Sequence, residues 1–450
     1  MGAGRFSFFK VITILLLLFF VEVSSYAATL TVNRQAAFLS VADIHFDPFL
    51  SCSKDEKPCP LIEALRRAPT SQWQDIFDQY NRLRSQYYHD THHLLLKSTL
   101  QEMKDIANKA DIKFVLILGD FLGHDFKKSF RAYSSDKTDY SYQAFVRKTM
   151  GFLSNEINHA FPTVDVFIAL GNNDSYKGDY HPELQGLFLQ DMAELWSKTI
   201  KDSVARNIMQ NEFLQRGYYS INIPKQPTLR LIVLNSVLFY KDSLDKKTTQ
   251  AAIRQLAWLH DELEAVKQKN QKAIIAFHIP PSVDVYLPFK KNLFISLELW
   301  QKQYIKYFQA ELTEFSTSMM AVLPAHIHVD WFQIIPVGNG EKVLMNTTPA
   351  ISPLFGNNPA FKVFSYAVPS LDLLGFSTYF YSFDTRKWLQ EYSFNIQNPT
   401  NHNGILMGDG MSFIKLSGQL AAYYKWTMQL SPMLDFLLQT GAANIDISYK

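Results

Sequence analysis

Seven residues of types that bind divalent cations stand at the ends of apolar runs: Asp43 and His45, Asp120, Asn172, His278, and His326 with His328. Carboxylate oxygens, imidazole nitrogens and an amide carbonyl are ligands suited to zinc, manganese or iron. Seven ligands exceed the needs of one tetrahedral zinc and suit two cations that share a carboxylate. Asp120, directly after Gly119, is the natural bridge, and Asn172 offers a neutral oxygen. Two divalent cations about 3.5–4 Å apart suit phosphoryl chemistry, because together they lower the pKa of a shared water and neutralise phosphate oxygens. A leaving group then wants a proton, and His124, four residues past Asp120, is the candidate donor or phosphate contact. Each residue has a plainer explanation taken singly. His278 before Pro280–Pro281 suits a packed core, Asp120 after glycine suits a turn, and His326 with His328 suits the outer face of a strand. The argument lies in their joint occurrence at strand ends.

The apolar runs predict the elements that position these residues. Phe38–Val41 reads as a strand ending in Asp43 and His45; Ile112–Leu118 ends in Gly119–Asp120; Val164–Leu170 ends in Gly171–Asn172–Asn173–Asp174. Helical spacing over Thr91–Lys109, capped by Asp90, and over Tyr140–Asn158 separates them. Such βαβ alternation predicts a largely parallel sheet with its ligand crevice at the carboxyl ends of the strands. Further strands are expected at Tyr218–Ile223, Leu229–Asn235, Lys272–Phe277 and Met319–Pro324. Helices are expected near Trp73–Leu83, His181–Lys201, Asp202–Gln215, Thr248–Gln268 and Leu293–Glu314. Trp331–Val337 with Lys342–Thr348, and Phe376–Asp384 with Trp388–Phe394, read as hairpins. Asn395–Asn403 reads as a linker before a helical C-terminus. His89, His92 and His93 read as a solvated helix start.

The chain has 450 residues, 47% hydrophobic and 19% charged, with a net charge of +2. That composition is globular, and the charge gives no argument for a nucleic-acid duplex. Arg5 and Lys10 precede the uncharged run Val11–Val21, and Ser24–Ala27 supplies small residues, which together read as a signal peptide over 1–27 cleaved after Ala27. The run is shorter than the roughly 18–20 residues that span a bilayer. The mature chain is therefore expected to be exported, without stable membrane insertion. Cys52 and Cys59 are the only cysteines. In an exported chain the pair closes a small disulfide loop, two reduced thiols being the alternative, and no further cysteine exists to complete a thiolate metal site.

Taken in order, D-x-H at Asp43–His45, G-D at Gly119–Asp120, G-N-x-D at Gly171–Asp174, the lone His278 and H-x-H at His326–His328 resemble the signature of the calcineurin-like metallophosphoesterases. The resemblance runs from Phe38 to about His328. GDFLGHD at Gly119–Asp125, QLAWL at Gln255–Leu259 with IIAFHIPP at Ile274–Pro281, and SPLFGNNPAF at Ser352–Phe361 are similar to the acid sphingomyelinase-like branch. The resemblance implies an α/β fold, a four-layer αββα sandwich of two mixed β-sheets, with a small C-terminal hairpin-plus-helices subdomain. The expected division is 28–369 for the phosphoesterase domain and 370–450 for the subdomain. It implies two divalent metal ions, zinc with manganese or iron as alternatives. Asp43, His45, Asp120 and His328 would hold the first, and Asp120, Asn172, His278 and His326 the second, with His124 facing the phosphate. Asp47 would steady the ligands from behind.

The chain departs from the branch at two places. Most members read G-N-H-D or G-N-H-E, where this chain has Asn173, an amide that hydrogen-bonds phosphate but is no acid near neutral pH. Fungal endopolyphosphatases are similar in reading G-N-N-D. The usual G-H-x-H is Ala325–His326–Ile327–His328 here. The function implied is an exported phosphoesterase attacking a phosphodiester or phosphoanhydride with a metal-bridged hydroxide. Its partner is a small phosphorylated substrate of nucleotide, polyphosphate or choline-phosphate type, and it acts as a monomer. A six-cysteine saposin-like segment is not expected, which weighs against the sphingomyelin alternative; a catalytically impaired binding protein on the same scaffold is the third reading. The expected location is secreted or periplasmic, or lysosomal or vacuolar in a eukaryote. Mass spectrometry of the exported protein should find Ala28 as the first residue; peptides from Met1–Tyr26 in that material would contradict cleavage.

Overall fold

Phe38, Leu39 and Val41 are all buried, so β1 (Arg34–Val41) has no face left for water. A strand buried on both faces belongs between layers. The computed structural model describes residues 34–80, 86–282, 298–337, 342–396 and 412–414. The signal peptide, the C-terminal helices, the tip of the Trp331–Thr348 hairpin and the first part of the Leu293–Glu314 helix lie outside them.

Nine helices are described: α1 (Pro60–Arg67), α2 (Trp73–Tyr80), α3 (His93–Lys109), α4 (Phe126–Tyr133), α5 (Asp139–Ala160), α6 (Leu187–Ser197), α7 (Ser203–Arg216), α8 (Lys246–Gln268) and α9 (Lys302–Glu314). The strands after β1 are β2 (Ile112–Ile117), β3 (Asp165–Ile168), β4 (Tyr219–Ile223), β5 (Gln226–Val233), β6 (Lys272–Ala276) and β7 (Met319–Leu323). Then come β8 (Trp331–Pro336), β9 (Lys342–Thr347), β10 (Ala360–Val368), β11 (Leu373–Ser382), β12 (Lys387–Asn395) and β13 (Ser412–Ile414).

The strands form two mixed sheets, a six-stranded one in the order β12-β11-β10-β1-β2-β3 and a seven-stranded one in the order β13-β8-β9-β7-β6-β5-β4. Within the first, β1, β2 and β3 are parallel and β10–β12 antiparallel; within the second, β5, β6 and β7 are parallel. Alternation along β6 explains the layering. Ile274 and Ala276 join the large core that contains the first sheet, while Ala273, Ile275 and Phe277 join a second core with Leu256, Leu259 and Leu263 of α8 and Phe308 and Leu312 of α9. The period of two thus sends one face toward the partner sheet and the other toward helices. The result is the four-layer αββα sandwich.

Three expectations need amending. The structure adds α1, α4 and β10, which the sequence reading passed over, and β13, where that reading had a helical C-terminus. The hairpin β11–β12 continues the first sheet through β10, so the 369/370 division falls inside that sheet. Helix α3 begins at His93 with His92 as its cap, not Asp90; the His92 imidazole accepts from the Leu94 N–H, and buried His93 stacks on Phe77 at 4.7 Å. Only His89 of that trio is exposed.

A buried ion pair ties the sheets together. Lys362 on β10 donates to Asp330, which leads into β8, and to Asn346 on β9. Asp330 also accepts from Thr378 Oγ1 at 2.6 Å and the Tyr392 hydroxyl at 2.8 Å. Removing one member leaves an uncompensated buried charge. Asp330→Ala is expected to cost about 3–5 kcal/mol of stability, measured by urea unfolding.

Candidate metal centre

The parallel strands end at one edge, and their exits carry the site. β1 delivers Asp43 and His45, β2 delivers Asp120, β3 delivers Asn172, β6 delivers His278, and β7 delivers His326 and His328. The backbones beyond β1 and β2 stay paired: the Asp43 N–H donates to Gly119 O at 3.0 Å and the His45 N–H to Asp120 O at 2.8 Å. Beyond β2 and β3 the chain approaches more closely still. A Cβ on Gly119 would lie 2.4 Å from Gly171 N, and one on Gly171 would lie 2.1 Å from the Asp120 carboxylate. Both glycines are therefore steric necessities of placing Asp120 beside Asn172.

All seven expected ligands meet. His45 Nε2 lies 3.1 Å from His328 Nε2, 3.4 Å from Asp120 Oδ2 and 3.7 Å from Asp43 Oδ1. On the other side His278 Nε2 lies 3.2 Å from Asp120 Oδ2, 2.9 Å from Asn172 Oδ1 and 3.2 Å from His326 Nδ1. Asp120 is common to both groups.

Outer contacts aim the ligands. His45 Nδ1 lies 3.0 Å from Leu122 O and His278 Nδ1 2.6 Å from Leu118 O. Donation to those carbonyls turns each Nε2 lone pair inward. Asn172 Nδ2 donates to Asp179 at 2.6 Å, which presents Oδ1 to the cluster. Tyr180 Oη lies 3.0 Å from His326 Nε2, so a ring protonated at Nε2 keeps its Nδ1 lone pair for a cation. The buried Asp174 carboxylate was named at a strand end but given no part in the site. It accepts from the N–H groups of Asp120, Phe121 and Gly171 at 2.9, 2.8 and 3.0 Å, locking two strand exits together. Its signal was the last letter of G-N-x-D.

The donor set fits cations. Asp43 Oδ1 and His328 Nδ1 are buried with no hydrogen-bond partner among the described residues, and a buried carboxylate oxygen is costly to leave bare. Burial opposes charge on His45, but Asp120, Asp43 and Asp90 outweigh it and raise its pKa to about 10; the same balance, led by Asp120, raises His278 to about 9. Burial and the neighbouring imidazoles push His326 down to about 3 and His328 well below its usual range. The pocket thus draws positive charge strongly, yet has no room to protonate all four rings.

Expected helpers fall into different places. His124 is about one-third exposed, and its ring stacks on His45 at 4.0 Å. Asn173 turns onto the shared carboxylate, its N–H donating to Asp120 Oδ1 and its Nδ2 to Asp120 Oδ2, both at 2.8 Å. Asp47 does not reach the ligands; it accepts from the Phe49 N–H at 2.7 Å and caps the short turn Pro48–Ser51. Burial, with Asp90 nearby, lifts the Asp47 carboxyl to about 7. The residue behind the site is instead Asp90. It accepts the His124 N–H at 2.7 Å, faces His124 Nδ1 at 3.1 Å and accepts from Ser352 Oγ at 2.7 Å. Burial works against its ionisation, but the hydrogen bond and charge of His124 hold its carboxyl below the usual value. Sequence spacing made Asp90 a helix cap, because Asp is as good a cap as it is an imidazole partner. Cys52 and Cys59 form a disulfide.

Comparison with known proteins agrees with this geometry. The family model described as "Calcineurin-like phosphoesterase" matches residues 37–330. "Sphingomyelinase phosphodiesterase D" of Dictyostelium discoideum is 25% identical over 418 residues, covering 88% of this chain and 86% of its own. "Acid sphingomyelinase-like phosphodiesterase 3b" of Mus musculus is 26% identical over 377 residues, with coverage of 79% and 74%. "Cyclic GMP-AMP phosphodiesterase SMPDL3A" of Bos taurus is 23% identical over 407 residues, with coverage of 86% and 82%.

Asp90→Ala should lower kcat by on the order of 10²-fold, the scale of a lost proton donor, while elemental analysis finds the cation content unchanged. Loss of cations in that variant would make Asp90 a support of the metal cluster instead.

Proposed function

The chain belongs to the calcineurin-like phosphoesterase family, and from that premise we propose that it is an exported, dinuclear hydrolase of small phosphodiesters or phosphoanhydrides. Asp43, His45, Asp120 and His328 would hold one divalent cation, and Asp120, Asn172, His278 and His326 would hold the other. Zinc is the metal proposed, since imidazole and carboxylate ligands with no thiolate suit it. Two such cations, when bound, would acidify a shared water and offset the charge of phosphate oxygens.

The chain's own groups do the rest. His124, with Nδ1 against Asp90, presents Nε2 to the leaving-group oxygen and gives up its proton there. Asn173 steadies Asp120 by two hydrogen bonds, so its amide serves the shared ligand where relatives with histidine have an acid. Phe355 closes over both His124 and His328, with ring centroids 5.7 and 4.7 Å away, and limits water at the site. The observation that carries this reading is the bare Asp43 Oδ1, aimed among three imidazoles at 3.4, 3.7 and 3.9 Å.

The names of the relatives divide between sphingomyelin and a cyclic dinucleotide, and both are phosphodiesters. No described helix is long and apolar enough to cross a membrane. Choline-phosphate lipid is the second reading, supported by the coverage of the Dictyostelium relative. Assays of sphingomyelin beside nucleotides and polyphosphate separate the two.

Asp120→Asn should abolish hydrolysis of bis(p-nitrophenyl) phosphate with an unchanged circular dichroism spectrum; full activity in that variant would refute the mechanism. Elemental analysis should find about two cations per chain. His45 and His278 have raised pKa values, so each is protonated below that value and a cation must displace the proton. Zinc added to chelator-stripped protein at neutral pH should therefore release protons, and zinc affinity should fall as pH falls. Affinity independent of pH would place the cations elsewhere.

A further inference from the structure

The loop that sends Asp179 and Tyr180 toward the metal cluster sends Lys177 and His181 into a different space. That space is a cleft of about 1260 Å³, and none of the seven metal-site residues lines it. Its walls are the start of α6, the end of α7 and the first turns of α8. Lys247, Gln250, Ala251 and Arg254 line it from α8 at the spacing i, i+3, i+4, i+7, which is one helix face. Seven residues along a helix put the two cationic side chains roughly 10 Å apart at their backbones.

Cations outnumber carboxylates on the lining of this cleft, and two of them, Lys247 and Arg254, stand without an ion pair among the described residues. Lys177, Arg216, Lys247 and Arg254 line it, with Asp245 as the single acidic lining residue; behind the lining Glu183 pairs with Lys177 at 3.4 Å and Glu212 with Arg216 at 3.0 Å. The Asp245 carboxylate is already engaged, capping α8 by accepting from the Lys247 and Thr248 N–H groups at 3.0 Å. Lys247 and Arg254 are exposed and have no ion-pair partner among the described residues. The whole chain carries only +2, so this concentration is local. A concave wall of one charge focuses the field and attracts the opposite charge.

Arg216 is fixed in place. Its guanidinium lies over the rings of Tyr218 and Trp258, 4.8 and 4.9 Å from their centroids, and pairs with Glu212 at 3.0 Å. Its Nε is buried with no hydrogen-bond partner among the described residues. A clamped guanidinium loses little freedom on meeting an oxyanion. Gly186, the cap of α6, also lines the cleft and supplies no side chain to that helix's first N–H groups.

We propose that this cleft is a second ligand site, separate from the metal cluster, for a multivalent anion of phosphate or sulfate chemistry on an extended molecule. Lys247 and Arg254, spaced along one helix face with the paired Lys177 and Arg216 on the facing walls, suit several anionic groups in a row better than one. The proposal stands apart from the reaction at the metals.

The test is calorimetric titration of the metal-loaded full chain at low salt with two probes, sodium tripolyphosphate and sucrose octasulfate, the tripolyphosphate arm being run in the Asp120→Asn background so that the probe is not hydrolysed. The double variant Lys247→Glu/Arg254→Glu, exposed positions outside the metal centre, is titrated beside it and checked for an unchanged melting temperature. Wild type should bind at least one probe, the double variant about tenfold or more weakly, and added salt should erase the difference. Hydrolysis of bis(p-nitrophenyl) phosphate should be unchanged. Preference for tripolyphosphate assigns the ligand to phosphate chains, and preference for sucrose octasulfate assigns it to sulfated glycans. Equal affinity in wild type and variant, or no binding of either probe by wild type, overturns the proposal. Probe binding that depends on these residues in a protein without phosphodiesterase activity would sink the proposed reaction and leave the cleft standing.

Discussion

Asp120 is the contact on which the rest depends. One carboxylate oxygen stands 3.4 Å from His45 Nε2 and 3.2 Å from His278 Nε2, and those imidazoles come from different sheets. For that to happen, the carboxyl ends of β1, β2 and β3 must meet the ends of β6 and β7 at one edge of the sandwich. The two layers therefore cannot slide or rotate without pulling the ligands apart. The Lys362–Asp330 pair and the Ser40–Thr348 hydroxyl contact at 2.6 Å hold that alignment from inside.

The backbone bears part of the cost. Asp43, His45, Asp120, His326 and His328 all have left-handed backbone, with φ between 42° and 74°. Non-glycine residues in that region carry strain of order 1–3 kcal/mol each and gather where function over-determines geometry. Here the strain turns each chain sharply after its strand, so that residues two apart both reach the cluster. The Asp43 and His45 N–H groups are repaid by the carbonyls of Gly119 and Asp120, and the Asp120 N–H by Asp174. Strain and hydrogen bonding thus work together to hold these side chains in one cluster.

Much of this was legible in the residues. Strands buried on both faces are continuous apolar runs, so β1, β2, β3, β6 and β7 announced themselves, and the ligand at each exit followed. β10 was harder to read. Its sequence mixes Lys362 and Ser365 with aromatics, because Lys362 is buried against a carboxylate from the other sheet. A buried lysine looks like surface to any pattern of polarity. His92 and His93 were misplaced for a related reason: both are buried at a helix start, where polarity suggested water.

The sequence by itself determined which residues have cation-binding side chains, in what order, and on which strand ends they stand, since ligand chemistry and strand periodicity are local properties. It also determined the glycines that let β2 and β3 exits touch. Only the tertiary structure decided who supports whom. Asp47 lies two residues past His45 and Asp90 far beyond it in the chain, so proximity in sequence favours the wrong acid. The fold brings His124 and Ser352 to Asp90 and leaves Asp47 to cap a turn. Asn173 likewise became a partner of Asp120 because the close approach of Gly171 brings the following residues against that carboxylate. Hydrogen bonds between residues far apart in sequence are set by packing, and packing is a property of the whole chain.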